Sequence, residues 1–167
     1  KSELTLTNMN IDTADESISI NGKLKYTYTI ISDNLTQSLF ESNQATYKFI
    51  DKTNNNSIYQ YTLNNYALTS NFNASTGNIE NIAKGQLNGE IGGKVFSVNF
   101  NSNFKFPTES DLYALKPNAA KVEIVDLYNQ QNTISITQTI GGQALVSAYA
   151  NAKLVQGYPK TVDWNEF

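Results

Sequence analysis

The sequence predicts an all-β domain, an antiparallel meander forming a sandwich, a barrel or a strongly curved sheet, and three observations carry that reading. The apolar mass lies in ten Tyr, eight Phe and many Ile and Val, residues that suit a pleated, half-buried surface. They recur with period two, most clearly from Ser17 to Ile31. There Ile18, Ile20, Gly22, Leu24, Tyr26, Tyr28 and Ile30 share one side, opposed by Ser17, Ser19, Asn21, Lys23, Lys25, Thr27 and Thr29. The third observation is Gly85 to Phe106, where odd register (Leu87, Ile91) gives way to even register (Phe96, Val98, Phe100, Phe104, Phe106). One strand with such a slip would turn its apolar side to water. A two-residue hairpin turn at Gly92-Gly93 removes the conflict. Leu87 then faces Val98, Gly89 faces Phe96 and Gly85 faces Phe100, so two rings lie over two glycines. With those rings in the core, Phe96→Ala is expected to cost about 3–5 kcal/mol.

The remaining segments follow in order. Lys1 to Thr7 reads as a short first strand with Leu4 and Leu6 on one face, and Asn8 to Glu16 as a polar connection. Asn21-Gly22 resembles a hairpin turn, but a turn there would divide the apolar set between faces. One long strand with Gly22 at a bend or bulge is therefore expected. Asp33 to Asn43 reads as a loop or a helical turn around Leu35, Leu39 and Phe40. Ala45 to Asp51 alternates, the loop Thr53-Asn54-Asn55-Asn56 follows, and pairing Asp51 with Ser57 sets Phe49 against Tyr59 and Tyr47 against Tyr61. The phase changes again after Asn64-Asn65, to Tyr66, Leu68 and Phe72, which suggests a tight turn there. Asn73 to Gly77 is a polar loop. Pro107 ends the central ribbon, and Thr108 to Ala120 is expected to be mostly connection. Lys121 to Leu127 and Thr133 to Ile140 read as strands around a turn at Asn129–Asn132. Gln143 to Gln156 fits either a helix, through Leu145, Ala148, Tyr149 and Ala152, or alternation through Val146, Ala148 and Ala150. Val162 and Trp164 are placed on one face of a last strand.

Composition removes much chemistry. The 167 residues suit one β domain, expected to be the mature or C-terminal part of a longer precursor because the chain starts at Lys1 with no signal peptide in view. There is no His and no Cys, so a Ser–His–Asp or Cys–His centre, a disulfide and a nitrogen- or sulfur-ligated zinc site cannot be built. No cofactor is expected. The net charge of -3, without a basic face, argues against nucleic acid. No apolar run has the length of a membrane helix.

Three residue groups merit functional weighing. Asp12, Asp15 and Glu16 fall within five residues and offer hard oxygen ligands for calcium, but without EF-hand spacing or a positioning glycine the favoured reading is a solvated acidic loop. Glu109 with Asp111, and Glu123 with Asp126, are acidic neighbours of the type a glycan hydrolase pairs across a cleft. Tyr26, Tyr28, Tyr47, Tyr59, Tyr61 and Tyr66 would make a platform for sugar rings or line an apolar cavity. The competing reading is a core face whose hydroxyls reach a wet rim. Asn34, Asn55 and Asn73 open glycosylation sequons, in an Asn-rich chain where such matches arise by chance.

From Tyr61 onward, Tyr61-Thr62-Leu63-Asn64-Asn65-Tyr66, the glycine-punctuated ribbon Gly89 through Phe106, Pro107 and Thr161-Val162-Asp163-Trp164 occur in an order that resembles a loosely defined group of bacterial exported β-rich proteins. Many of these are predicted lipoproteins of unknown function. The resemblance implies strand, turn, strand for Gln143–Gln156 and a location at the cell envelope, periplasmic or surface, with lipid anchorage through a removed N-terminus. The group often carries an Asp/Gly-rich loop before its last strand. This chain has Ala148-Tyr149-Ala150-Asn151-Ala152-Lys153 there, without a carboxylate, so no metal site is carried over. The resulting expectation is a non-enzymatic envelope module that binds or scaffolds, with a glycan, a lipid or an envelope protein as partner. A carrier of a lipid or other apolar ligand in a half-open sheet is the first alternative, and a carboxylate-based glycan hydrolase the second.

Overall fold

The computed structural model describes residues 2–55, 57–91 and 93–166. Its strands are β1 Ser2–Asp12, β2 Glu16–Ser32, β3 Leu35–Asp51, β4 Ser57–Asn73, β5 Ile79–Ile91, β6 Lys94–Phe106, β7 Ala119–Asp126, β8 Thr133–Gln138, β9 Ala144–Ala150, β10 Lys153–Leu154 and β11 Lys160–Val162. A short helix, α1 Glu109–Tyr113, and a 3₁₀ turn, Trp164–Glu166, complete it. The strands make one antiparallel sheet in chain order from β1 to β10, with β11 added on β9. Among the described residues no pairing joins the two ends of this order, so the sheet is not closed.

The ribbon pairs as its alternation requires. Leu87 faces Val98, Gly89 faces Phe96, Gly85 faces Phe100 and Ile91 faces Lys94. Gly93 has φ +77, a conformation that glycine adopts at little cost; its predicted turn partner Gly92 lies outside the described residues. Phe96 and Phe100 are half-buried rather than enclosed, so the sequence-based cost of 3–5 kcal/mol for Phe96→Ala overstates the loss. Asp51 pairs with Ser57, Phe49 with Tyr59 and Tyr47 with Tyr61, as the register argument expects.

Several segments differ from expectation for identifiable reasons. Asn8 to Asp12 is not connection but the far half of β1, continued past a register shift between Leu6 and Met9; the predicted facing of the Leu4 and Leu6 side chains lies outside what is described, though their backbones pair with Leu24 and Gly22. Asp33 to Asn43 is strand from Leu35 onward, because β2 and β4 satisfy its backbone from both sides. The phase change at Asn64-Asn65 is not a turn. β4 runs straight through it, and Asn65 at φ +50 is an inserted left-handed residue that shifts the β4–β5 register between Asn64 and Ala67. One extra residue moves the apolar set from odd to even positions without reversing the chain. The helix falls at Glu109–Tyr113 instead of in either predicted segment, with the Thr108 side chain accepting from the Asp111 N–H. Gln143–Gln156 is strand, turn and strand. The last strand ends at Val162, and Trp164 opens the 3₁₀ turn.

Gly22 sits beside a register shift between β2 and β3, where a Cβ would lie 2.8 Å from the Ala45 Cα. Close backbone approach therefore explains this glycine. The shifts in β1, at Gly22 and in β4 lie side by side, as a line across the long strands. On both sides of that line the aromatic residues keep to one face, while Leu39, Ile50, Ile58 and Ile82 lie on the other. Ile20, Tyr47, Tyr61, Gly89 and Phe96 form one row across it, and Tyr26, Phe40, Leu68 and Ala83 another. That opposite face is otherwise mainly polar, with Lys25 bound to Glu41 at 2.9 Å and Gln37 donating to Asn71.

Burial is concentrated at the C-terminal end. Ile136, Ala144 and Val162 form the core cluster, joined by Val122, Val146 and Trp164, and among the described residues Ile79 and Phe106 are the other buried hydrophobics. Among the described residues none of β1–β4 is a buried hydrophobic. The accessible surface of 10745 Å² exceeds by roughly 2,500 Å² that of a compact monomer of this mass.

Candidate apolar binding site

All six candidate tyrosines stand on the apolar face, because the registers carry it unbroken from β2 to β6. Their rings meet neighbours across the strands: Tyr26 with Phe40 at 4.7 Å, Tyr47 with Tyr61 at 6.3 Å and Phe49 with Tyr59 at 5.8 Å between centroids. Two contacts reach over a whole strand. Tyr61 meets Phe96 above Gly89, and Tyr66 meets Phe100 above Gly85. Only glycine leaves room for rings to lean together there. Burial raises the Tyr66 phenol pKa above its usual value. Tyr28, at the open end of the row, is 52% exposed.

Farther along the same face the sheet acquires a cover. The chain leaves α1 through Leu115, held in the left-handed region at φ +51, where the Lys116 N–H reaches the Asp111 carbonyl at 2.8 Å. Gln138 Nε2 donates to the Pro117 carbonyl at 2.7 Å, and the Asn118 N–H to the Lys105 carbonyl at 2.8 Å. These bonds tie residues 115–118 over the sheet. From the other side, Gln143 donates to Asp163 at 3.0 Å, which steadies the 3₁₀ turn and lays Trp164 edge-on against Phe104 with centroids 5.6 Å apart. Between this cover and the sheet is a cavity of about 340 Å³. Phe104, Phe106, Val122 and Ile136 form its floor, and Leu115, Pro117 and Trp164 its rim. The lining is nearly free of polar surface. The sequence reading missed this pocket, since its residues come from strands and from a segment read as connection; the lone tryptophan after Val162 was the one signal.

The acidic candidates are engaged elsewhere. Asp12 accepts from the Lys52 ammonium at 2.7 Å, and that hydrogen bond and charge hold its carboxyl below the usual carboxylate range. The Asp15 carbonyl accepts the Lys52 N–H, while Glu16 pairs with Asp51 across β2 and β3. Among the described residues, no three carboxylates converge as a metal site would require. Asp111 accepts from Thr108 and Glu109 from Tyr113. Glu123 is bound to Lys121. Asp126 accepts from Asn132 and from the Tyr128 N–H, and these bonds hold its pKa low.

Among the described residues no helix is long and apolar enough to cross a membrane. No protein-family model matches the chain, and no curated protein or solved structure matches it either.

Proposed function

We propose that the chain is a non-enzymatic binding module that holds an apolar group, such as an acyl chain, in the pocket beneath Trp164 and Pro117. The observation that carries this reading is the pocket's lining: seven residues with almost no polar surface around about 340 Å³, a volume within the range of small-ligand sites. The pocket lies at the covered end of the aromatic face, where Trp164 stands edge-on to Phe104. The order of features from Tyr61 to Trp164, with its likeness to exported β-rich proteins, supports a place at the bacterial envelope.

Leu115 supplies the test. It stands at the pocket rim and is 54% exposed. Aspartate tolerates left-handed backbone better than leucine does, so Leu115→Asp keeps the fold and sets a charge at the mouth. Native mass spectrometry of freshly purified protein is expected to show a co-purified apolar adduct on the unaltered chain and little on the variant. Equal adduct on both, or none on the unaltered chain after exposure to fatty acid, contradicts the proposal.

A further inference from the structure

We propose that the aromatic face over β2–β6 is the contact surface for a second copy of this chain, the two sheets packed face to face. A sheet that is apolar on one side has to bury that side against another layer. Here the cover formed by residues 115–118 and Trp164 reaches only the C-terminal part of the face. On this face of β2–β6 the charged side chains are confined to strand ends, Glu16 opposite Asp51 and Lys94 opposite Ile91. The polar face, by contrast, holds Lys25, Glu41, Lys84 and Glu80 on the same strands.

Area and chemistry favour a protein partner over a ligand. The surface excess of roughly 2,500 Å² is enough for the roughly 1,000–2,500 Å² that each copy of an obligate homodimer commits to its interface, and lies far beyond what a small ligand covers. The face is also amphipathic ring by ring. Each tyrosine ends in a hydroxyl that needs a polar partner when enclosed, as Tyr26 finds in Ser38 at 3.3 Å. Hydrocarbon offers no such partner, whereas a second face bearing the same tyrosines and serines does. A two-fold pairing needs a self-complementary patch, and rows of aromatic and small residues on a regular sheet provide one.

Sedimentation equilibrium on the unaltered chain tests this directly, with a mass of about 37 kDa expected, twice 18.5 kDa. Tyr61→Lys, at the middle of the face, is expected to weaken the dimer about tenfold or more. Thr62→Lys, on the polar face between Thr46 and Asn88, is expected to leave it intact. Circular dichroism checks that each variant folds, and Ile18→Lys, farther out on the same face, replaces Tyr61→Lys if that variant does not. A monomer at about 0.1 mM overturns the proposal, as does a dimer that survives charges on the aromatic face. A monomer carrying several lipids in native mass spectrometry also overturns it and gives the face to lipid.

Discussion

At the scale of single residues, the glycines and one asparagine show what the backbone demands. A Cβ on Gly89 would meet Tyr61 Cδ1 at 2.7 Å, the Gln60 carbonyl oxygen at 2.9 Å and Phe96 Cε1 at 3.0 Å. At Gly85 the nearest atoms are 3.1 to 3.3 Å away, a smaller conflict. Gly89→Ala is therefore expected to cost about 1–3 kcal/mol and Gly85→Ala less, as denaturation midpoints would show; equal costs would contradict the ring-over-glycine packing. Asn65 makes the complementary case. Its left-handed φ of +50 suits asparagine and glycine, and a β-branched residue there loses about 1–2 kcal/mol. Asn65→Val should thus lower the urea midpoint while Asn65→Gly leaves it nearly unchanged. If both behave alike, Asn65 does not carry the change of face. The glycines were legible in the sequence because each opposes a phenylalanine. Asn65 was misread because a turn and a bulge leave the same trace, one slip in an alternating pattern.

At the scale of elements, cross-strand pairing decided what local signals left open. Leu35 to Asn43 lacks a clean pattern because Thr36, Ser38 and Ser42 flank Phe40 on the aromatic face while Leu39 lies on the other, and its strand conformation comes from ladders on both sides. The ribbon Gly85 to Phe106 was legible to the residue pair, since only one register keeps its apolar set together. The pocket was not, because its rim comes from a short helix exit and a 3₁₀ turn whose approach to β6 is a tertiary fact. Strands β5 and β6 also carry a pH-sensitive link. Asn103 donates to Glu80 at 3.1 Å and the Lys105 ammonium lies 3.4 Å away, which together hold the Glu80 carboxyl below its usual value. A depressed carboxyl pKa adds stability above the ordinary glutamate value of about 4.3 and loses it as pH falls through the folded value. Urea midpoints of the unaltered chain are expected to fall below about pH 4 more steeply than those of Glu80→Gln. Parallel pH profiles would remove Glu80 from the explanation.

At the scale of the whole molecule, one open sheet separates a polar face from an aromatic one, and the chain covers only part of the latter. Where Trp164, Leu115 and Pro117 close over Phe104 and Phe106, they leave an apolar pocket. Where β2–β6 lie bare, the exposed area calls for a second layer. The six tyrosines were legible as one set from period-two spacing alone, but the uncovered state of their face depends on what the rest of the chain fails to reach. The pocket allows a direct measurement, because Trp164 is the chain's one tryptophan and stands at its rim. Titration with dodecanoate, followed by tryptophan emission, is predicted to give a saturable blue shift at one equivalent per chain, weakened about tenfold or more in Leu115→Asp. Emission that stays unchanged up to about 1 mM dodecanoate, or that shifts equally in both proteins, would contradict an apolar site beneath Trp164.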